Sequence, residues 1–390
     1  MLVVLVAIAA PSSRTATSWH YFHDAARLLV SGAAPGGGLD LYLAHPEFQF
    51  GPITAAVAVP PALLPDAAGR YGAIIIGTLL GVVALVAVER TVAAFGIDMR
   101  RRGPMYAVRA GEVALAIVWT DVAVGTAHLD DAIALASATV ACAAIAERRP
   151  TWVPVAALAI SASAKPWAIV FAPLVLAAGG GRRPLRLVVV VSAAALTWLP
   201  FVLDEPGTIS AAGSFTIANA PSSALRVLGV TDPTTPIWVR PVQFALGSVM
   251  ALVLVRRGRW PAVPMAGMAI RLMLDPGVHH YYAAGLVAAV LVWEATARPG
   301  RLPCATLTTA VLMEVTPTLV QPSALAGSLR LVLTGALIVA AFSHPQAMRR
   351  VTSPPGNATR VDAPGSSAVH QEPRSSGRQP STSLRGEPHG

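Results

Sequence analysis

The sequence predicts an all-α protein, a polytopic integral membrane bundle of about twelve transmembrane helices. Its composition is the first observation behind this prediction: 54% of the 390 residues are hydrophobic and 13% are charged, whereas soluble domains carry about 25% charged residues. The second is the spacing of the apolar runs. Most approach the ~20 residues that span a bilayer, and short links with arginine, proline or glycine separate them. Amphipathic helices, which a soluble bundle requires, are scarce.

The basic character of the chain fits membrane topology better than nucleic-acid binding. The formal net charge is +9, but the arginines lie between the apolar runs rather than on one surface, as the positive-inside rule describes. Lys165 is the single lysine, and the two cysteines, Cys142 and Cys304, form neither a disulfide framework nor a metal motif. We therefore expect no nucleic acid, no metal and no cofactor.

The apolar runs give the expected order of elements. Residues 1–10 are half a span, which predicts a shortened first helix, and residues 53–64 predict a membrane-skimming segment. Further spans are expected at residues 71–95, 107–120, 131–146, 151–164, 166–180, 185–203, 241–255, 261–274, 283–296, 303–320 and 324–342. The domain would cover residues 1–345, and the Ser-, Pro- and Arg-rich residues 346–390 would be a disordered cytoplasmic tail.

Arginine-bearing links after alternate spans place both termini in the cytoplasm of a multi-pass plasma-membrane protein. The polar loops, residues 11–50, 121–131, 204–238 and 275–280, then share the outer side. Aspartate and histidine gathered at one end of a helical bundle indicate a site that faces outward.

His128, Asp130 and Asp131 form an HLDD motif at the start of a predicted span. One aspartate can serve as a helix N-cap, because its side chain accepts a hydrogen bond from a free backbone amide. Two adjacent carboxylates exceed what a cap requires. The other aspartate is therefore a candidate general base.

Four basic residues are candidate ligands for a lipid phosphate: Lys165, Arg271, His279 and His280. Each has a structural alternative. Lys165 could be an interfacial residue whose ammonium group reaches towards water, and Arg271 could pair with Asp275 at i, i+4. The histidines lie beside two tyrosines of the kind that form aromatic belts.

The opening polar stretch, residues 17–65, contains a second set of candidates. His20, His23, Asp24 and Arg27 lie at i, i+3 and i, i+4 spacings and can share one polar face of a helix. Asp24 and His20 are candidate catalytic residues, and a solvated helix face is the alternative.

The order of several motifs resembles a known family. They are WHYFHDAARLL, LDLY, FGPITAAVAVPPALLP, HLDDAIAL, SASAKPWAIVFAPLVL, WLPFVL and LDPGVHHYYAAGL, which together span roughly residues 15–300. This order is similar to that of the polyprenol-phosphate-dependent membrane glycosyltransferases of the C-type fold. It most resembles family 87, the actinobacterial mannosyltransferase group, which has a long first outer loop.

The resemblance implies an inverting hexosyltransferase. The sugar, mannose or arabinose, would pass from a polyprenyl-phosphate donor to a glycolipid or cell-envelope glycan acceptor outside the plasma membrane. The family's base aspartate corresponds to Ser18, which cannot act as a base. Asp24 could replace it, the pair Asp130 and Asp131 could replace it, or catalysis could be lost.

Two other function classes remain open. A non-catalytic lipid-carrier-binding or transport protein on the same scaffold would explain a serine at the base position. A secondary transporter would require matching broken helices in the two halves of the chain, and the sequence contains no such pair.

Overall fold

The computed structural model describes residues 15–32 and 34–343, and within that part the regular secondary structure is helical. The described loops add one isolated β-bridge, between Ala218 and Thr234. The predicted all-α class is therefore confirmed. The expected first span at residues 1–10 and the expected tail at residues 346–390 lie outside the described residues.

The principal helices follow the apolar runs in order. They are α1 Trp19–Ser31, α2 Pro52–Ala62, α3 Asp66–Ala94, α4 Arg102–Thr120, α5 Leu129–Ala146, α6 Trp152–Ala164, α7 Arg183–Asp204, α8 Val239–Arg256, α9 Val263–Leu274, α10 Tyr282–Ala297, α11 Cys304–Leu319 and α12 Ser323–Ser343. A 3-10 helix, Pro166–Ala177, follows α6, and a π-helical turn, Asp121–Gly125, follows α4.

Five of the described helices are long and apolar enough to cross a membrane: α3, α5, α7, α8 and α12. Shorter apolar helices accompany them, namely α2, α6, Pro166–Ala177, Trp260–Leu274 and α10. These lengths support a helical membrane protein. The number of spans expected from the sequence, about twelve, stays a prediction.

The observed helix bounds differ from the expected ones where local chemistry was overlooked. Helix α3 begins at Asp66, five residues before the expected residue 71. Pro65 precedes it in an extended conformation, and Asp66 lies in its first turn, where a carboxylate suits the positive end of the helix dipole. The run expected at 166–180 ends at Ala177 and is 3-10 rather than α-helical.

Helix α5 lies at the centre of the bundle and α7 at its edge. Within the most apolar window of each helix, 83% of α5 is buried against other helices but 17% of α7 is. An exposed apolar face on a long helix is what lipid contact requires. The HLDD motif therefore begins the most enclosed of the five candidate spans.

Gly51 brings the opening stretch against the end of α6. Its backbone N–H donates a hydrogen bond to the Ala164 carbonyl at 2.8 Å. A Cβ at this position would lie 1.8 Å from the carbonyl oxygen of Ser163, so a side chain would force the two segments apart. The start of α2 is in this way held beside Lys165.

Charged residues lie at both ends of the bundle, but the residues around them differ. At one end, Arg90 pairs with Glu147 at 2.6 Å, and Arg109 pairs with Glu112 at 2.7 Å and with Glu89. At the other end lie the HLDD motif and the aromatic loop between α9 and α10. The candidate site occupies this second end.

Candidate functional site

Asp130 and Asp131 lie in the first turn of α5, and both are almost fully buried. The Oδ1 atom of Asp130 accepts a hydrogen bond from the backbone N–H of Asp131 at 2.8 Å. Its Oδ2 atom accepts one from Lys165 Nζ. Both oxygens of Asp130 are thus engaged, one within the helix start and one in an ion pair.

Asp131 has one engaged oxygen and one without a donor. Its Oδ1 atom accepts hydrogen bonds from Trp167 Nε1 at 3.2 Å and from Arg271 at 3.4 Å. Its Oδ2 atom is buried and accepts no hydrogen bond from the described residues. His128 Nε2 lies 3.3 Å from that oxygen.

His128 closes the site on the side of the opening stretch. Its ring stacks on Tyr281 at a centroid distance of 4.0 Å and meets the edge of Phe22 at 5.7 Å. Burial lowers the pKa of His128 below its ordinary value of 6.5 and outweighs the opposing attraction of Asp130. The imidazole is therefore neutral at pH 7.

Arg271 lies between two aromatic rings. Its guanidinium carbon is 4.0 Å from the centroid of Trp167 and 4.5 Å from that of Tyr282, distances at which cation–π attraction holds an arginine in place. The i, i+4 partner expected from the sequence is present, but Asp275 lies 3.8 Å away. The shorter contact, 3.4 Å, is with Asp131.

The opening stretch meets the HLDD loop through its backbone. The N–H groups of Ala16, Thr17 and Ser18 donate hydrogen bonds to the carbonyls of residues 124–126, at 2.8, 3.1 and 2.9 Å. Ser18 occupies the position where the resemblance places the base. Its backbone N–H donates a hydrogen bond to the Thr126 carbonyl, in the segment just before His128.

The candidates on α1 lie apart from this network. The side chain of Asp24 is 58% exposed and contacts His23 at 3.0 Å rather than His20. His20 is exposed, and its Nδ1 lies 2.9 Å from the Thr17 carbonyl. Within the described chain, neither Asp24 nor His20 hydrogen-bonds or ion-pairs with Asp130 or Asp131.

The two adjacent histidines separate. His279 is exposed, and its ring stacks on Tyr281 at 5.1 Å. His280 turns towards α11, where its Nδ1 lies 3.4 Å from Glu314. Both lie in the loop between α9 and α10 that also carries Asp275.

Two groups among the described residues have the ligand spacing that a metal ion needs. They are His128, Asp130 and Asp131, and Asp121, His280 and Glu314, with ligand atoms within 4.8 Å of one another in each group. Lys165 and Arg271 already neutralise the first group, so a further cation there would be repelled.

Trp167 and Arg330 were not among the candidates predicted from the sequence. Trp167 contacts both Asp131 and Arg271. Arg330 is buried in α12 and donates a hydrogen bond to the Gly277 carbonyl at 3.3 Å. A signal for Arg330 existed, because it is the single charged residue of that apolar helix, and an ionisable residue within a span indicates function by default.

Comparisons with family models, with curated proteins and with solved structures find no match to this chain. The family resemblance therefore remains an expectation that rests on sequence motifs. The geometry of the buried Asp130–Asp131 pair is the independent support for a function.

Proposed function

We propose that the chain is a membrane glycosyltransferase. It would transfer a sugar, with mannose as the leading candidate, from a polyprenyl-phosphate donor to a lipid-linked or cell-envelope glycan at the outer face of the plasma membrane. One observation carries the proposal: the Oδ2 atom of Asp131 is a buried carboxylate oxygen that no described hydrogen-bond donor occupies.

Asp131 is suited to act as the general base. A hydroxyl of the acceptor would donate a hydrogen bond to Oδ2 and transfer its proton there as its oxygen attacks C1 of the sugar. The bond between C1 and the phosphate oxygen breaks, and the electron pair leaves with the polyprenyl phosphate. Attack from the face opposite the phosphate inverts the anomeric configuration.

Asp130 is suited to a different task. Because its two oxygens already accept hydrogen bonds from the Asp131 amide and from Lys165, neither is available to a substrate hydroxyl. Asp130 therefore acts as a positioning residue for Lys165. This difference separates two carboxylates that the sequence left equivalent.

Positive charge beside the base would stabilise the leaving phosphate. Lys165 and Arg271 flank the carboxylate pair, and His279 lies at the exposed edge of the same end. Cationic groups fixed near a developing negative charge lower the barrier without reorganising. His280, which faces Glu314, would contribute from the periphery.

A transfer assay tests the assignment of the base. Purified full-length protein is incubated in detergent with radiolabelled polyprenyl-phosphate mannose and a mixed acceptor extract. The Asp131→Asn variant should lose about 10²- to 10⁴-fold in rate, as expected when a general base is removed. The Asp24→Asn variant should keep its activity, and exposed Asp66→Asn is the matched control.

A loss confined to Asp24→Asn would transfer the role of base to the surface of α1, which the sequence left open. Turnover that persists in both Asp24→Asn and Asp131→Asn would refute both assignments.

A second function, non-catalytic binding of a lipid carrier, is favoured by one observation. The Asp131 side chain is 3% exposed, so an acceptor reaches it only if the surrounding helices open. If the protein binds polyprenyl-phosphate sugars but transfers none of them, the carrier-binding function replaces the transferase.

A further inference from the structure

Arg330 is a buried cation in an apolar helix. It is 5% exposed and lies within α12, a candidate membrane span that contains no other charged residue. Its guanidinium donates a hydrogen bond to a neutral acceptor, the Gly277 carbonyl. A buried guanidinium is costly without a counter-charge, so such a residue normally faces a carboxylate or an anionic ligand.

Within the described residues, no carboxylate oxygen lies within 4.0 Å of the Arg330 guanidinium. The other buried cations at this end differ, because Lys165 pairs with Asp130 and Arg271 pairs with Asp131. Arg330 is thus the buried cation at this end that has no carboxylate in contact.

Asp275 is the acidic residue whose charge acts on Arg330, but it is already engaged. Its Oδ1 atom accepts the Gly277 backbone N–H at 2.8 Å, and its Oδ2 atom lies 3.8 Å from Arg271. Its attraction also extends to Arg240 on α8, which likewise has no carboxylate within 4.0 Å among the described residues. The negative charge of Asp275 is therefore shared among Arg271, Arg240 and Arg330.

Gly277 lies next to both Arg330 and the exposed His279. A Cβ on Gly277 would lie 3.0 Å from His279 Nε2, so the imidazole packs against the same glycine whose carbonyl holds Arg330. His279 is exposed, whereas Arg330 is not. His279 and Arg330 therefore contact the same residue, one from the exposed edge and the other from the interior.

The charges of the network leave room for one anion. Its cations are Lys165, Arg271, Arg240 and Arg330, and its carboxylates are Asp130, Asp131 and Asp275. The four cations exceed the three carboxylates by one. A phosphate diester carries a single negative charge and would balance the network.

We propose that Arg330, supported by His279 and Arg240, forms a phosphate-binding site. That the phosphate is the head group of a polyprenyl lipid rests on the proposed function. The site differs from the one expected from the sequence, because Lys165 and Arg271 already hold carboxylates and Arg330 holds none. Arg330 is then the principal ligand of the phosphate.

Equilibrium binding tests the site without requiring sugar transfer. Full-length protein in lipid nanodiscs is titrated with polyprenyl-phosphate mannose, which is a phosphate diester, with the corresponding neutral polyprenol and with inorganic phosphate. The wild-type protein should prefer the phosphate lipid, and Arg330→Gln should reduce that preference about tenfold or more, as loss of a charged hydrogen bond implies. His279→Gln should reduce it several-fold.

Arg186→Gln is the matched control. Arg186 also donates to backbone carbonyls, those of Ala178, Gly179 and Gly181, but it lies at the start of α7. This variant should keep the full preference. Melting of the ligand-free proteins separates binding from folding: Arg330→Gln should melt at or above the wild-type temperature, because an uncompensated buried charge is removed.

A folded Arg330→Gln protein that keeps the wild-type preference overturns the proposal. If that variant does not fold, unchanged affinity in exposed His279→Gln overturns it equally. Binding of inorganic phosphate that depends on Arg330, without binding of the lipid, supports the anion site and overturns its lipid ligand. Lipid binding that depends on Arg330, without any sugar transfer, supports the site and refutes the transferase.

Discussion

Lys165 donates a hydrogen bond to Asp130, 35 residues earlier in the chain, across the ends of two neighbouring helices. The single lysine of the protein thereby meets one carboxylate of the HLDD motif. Arg271 meets the other carboxylate from 140 residues away. These two contacts turn three separate polar motifs into one buried network.

The Lys165–Asp130 pair should be costly to break from one side. Lys165→Met leaves a buried carboxylate without its counter-charge, which lowers the free energy of unfolding by about 3–5 kcal/mol. The double variant Lys165→Met, Asp130→Leu should recover most of that loss. Thermal denaturation in detergent measures both.

Arg70→Met is the control for the buried pair. It breaks an exposed pair with Asp66, whose contact of 3.3 Å contributes about 0–1 kcal/mol. Equal losses from Lys165→Met and Arg70→Met would contradict a buried, mutually dependent pair.

Gly51→Ala should displace the end of α6. Because the added Cβ would lie 1.8 Å from the Ser163 carbonyl oxygen, the backbone must shift, at a cost of about 1–3 kcal/mol. Lys165 should move with it, and sugar transfer should fall. Gly335→Ala in α12 has no atom within 4 Å of its new Cβ and should be neutral or stabilising by up to about 1 kcal/mol. Similar melting temperatures for the two variants would refute this account.

Stability should decline at acidic pH because of His128. Its pKa is lowered in the fold, so the unfolded chain binds more protons and the stabilisation is complete above pH 6.5. As the pH falls below 6.5 towards the lower folded-state pKa, that contribution is lost. His128→Phe, which retains an aromatic ring against Tyr281, should flatten the dependence of melting temperature on pH between 7 and ~5. A slope that is unchanged in the variant would assign the effect to other groups.

Trp167→Phe should separate two contacts of one side chain. The smaller ring can still lie against Arg271, but the hydrogen bond from the indole N–H to Asp131 is lost. A hydrogen bond to a charged acceptor contributes about 1.5–3 kcal/mol, so the free energy of unfolding should fall by that order. Exposed Trp152→Phe is the control. If both variants melt at the wild-type temperature, the indole hydrogen bond is not significant.

The helical class and the approximate helix positions follow from the sequence alone. Apolar length and the placement of arginines are local properties, and a run such as residues 324–342 can be recognised without knowledge of its neighbours; the structure has Ser323–Ser343 there. The start of α3 was predicted five residues too late, because Pro65 and Asp66 determine where that helix begins. At residues 53–64 a membrane-skimming segment too short to span was expected because of its prolines, and the structure has the short helix Pro52–Ala62 there. Its position relative to the membrane stays a prediction.

The site was predictable only as a set of residue types. The sequence identified Asp130, Asp131, Lys165 and Arg271, yet it treated Asp24 as equivalent to the buried pair and did not single out Arg330. Only the tertiary structure decided which carboxylate oxygen lacks a donor and which cation lacks a carboxylate. The reason is that such contacts join residues that are far apart in the chain, and helix packing brings them together where amphipathic periodicity gives no guide.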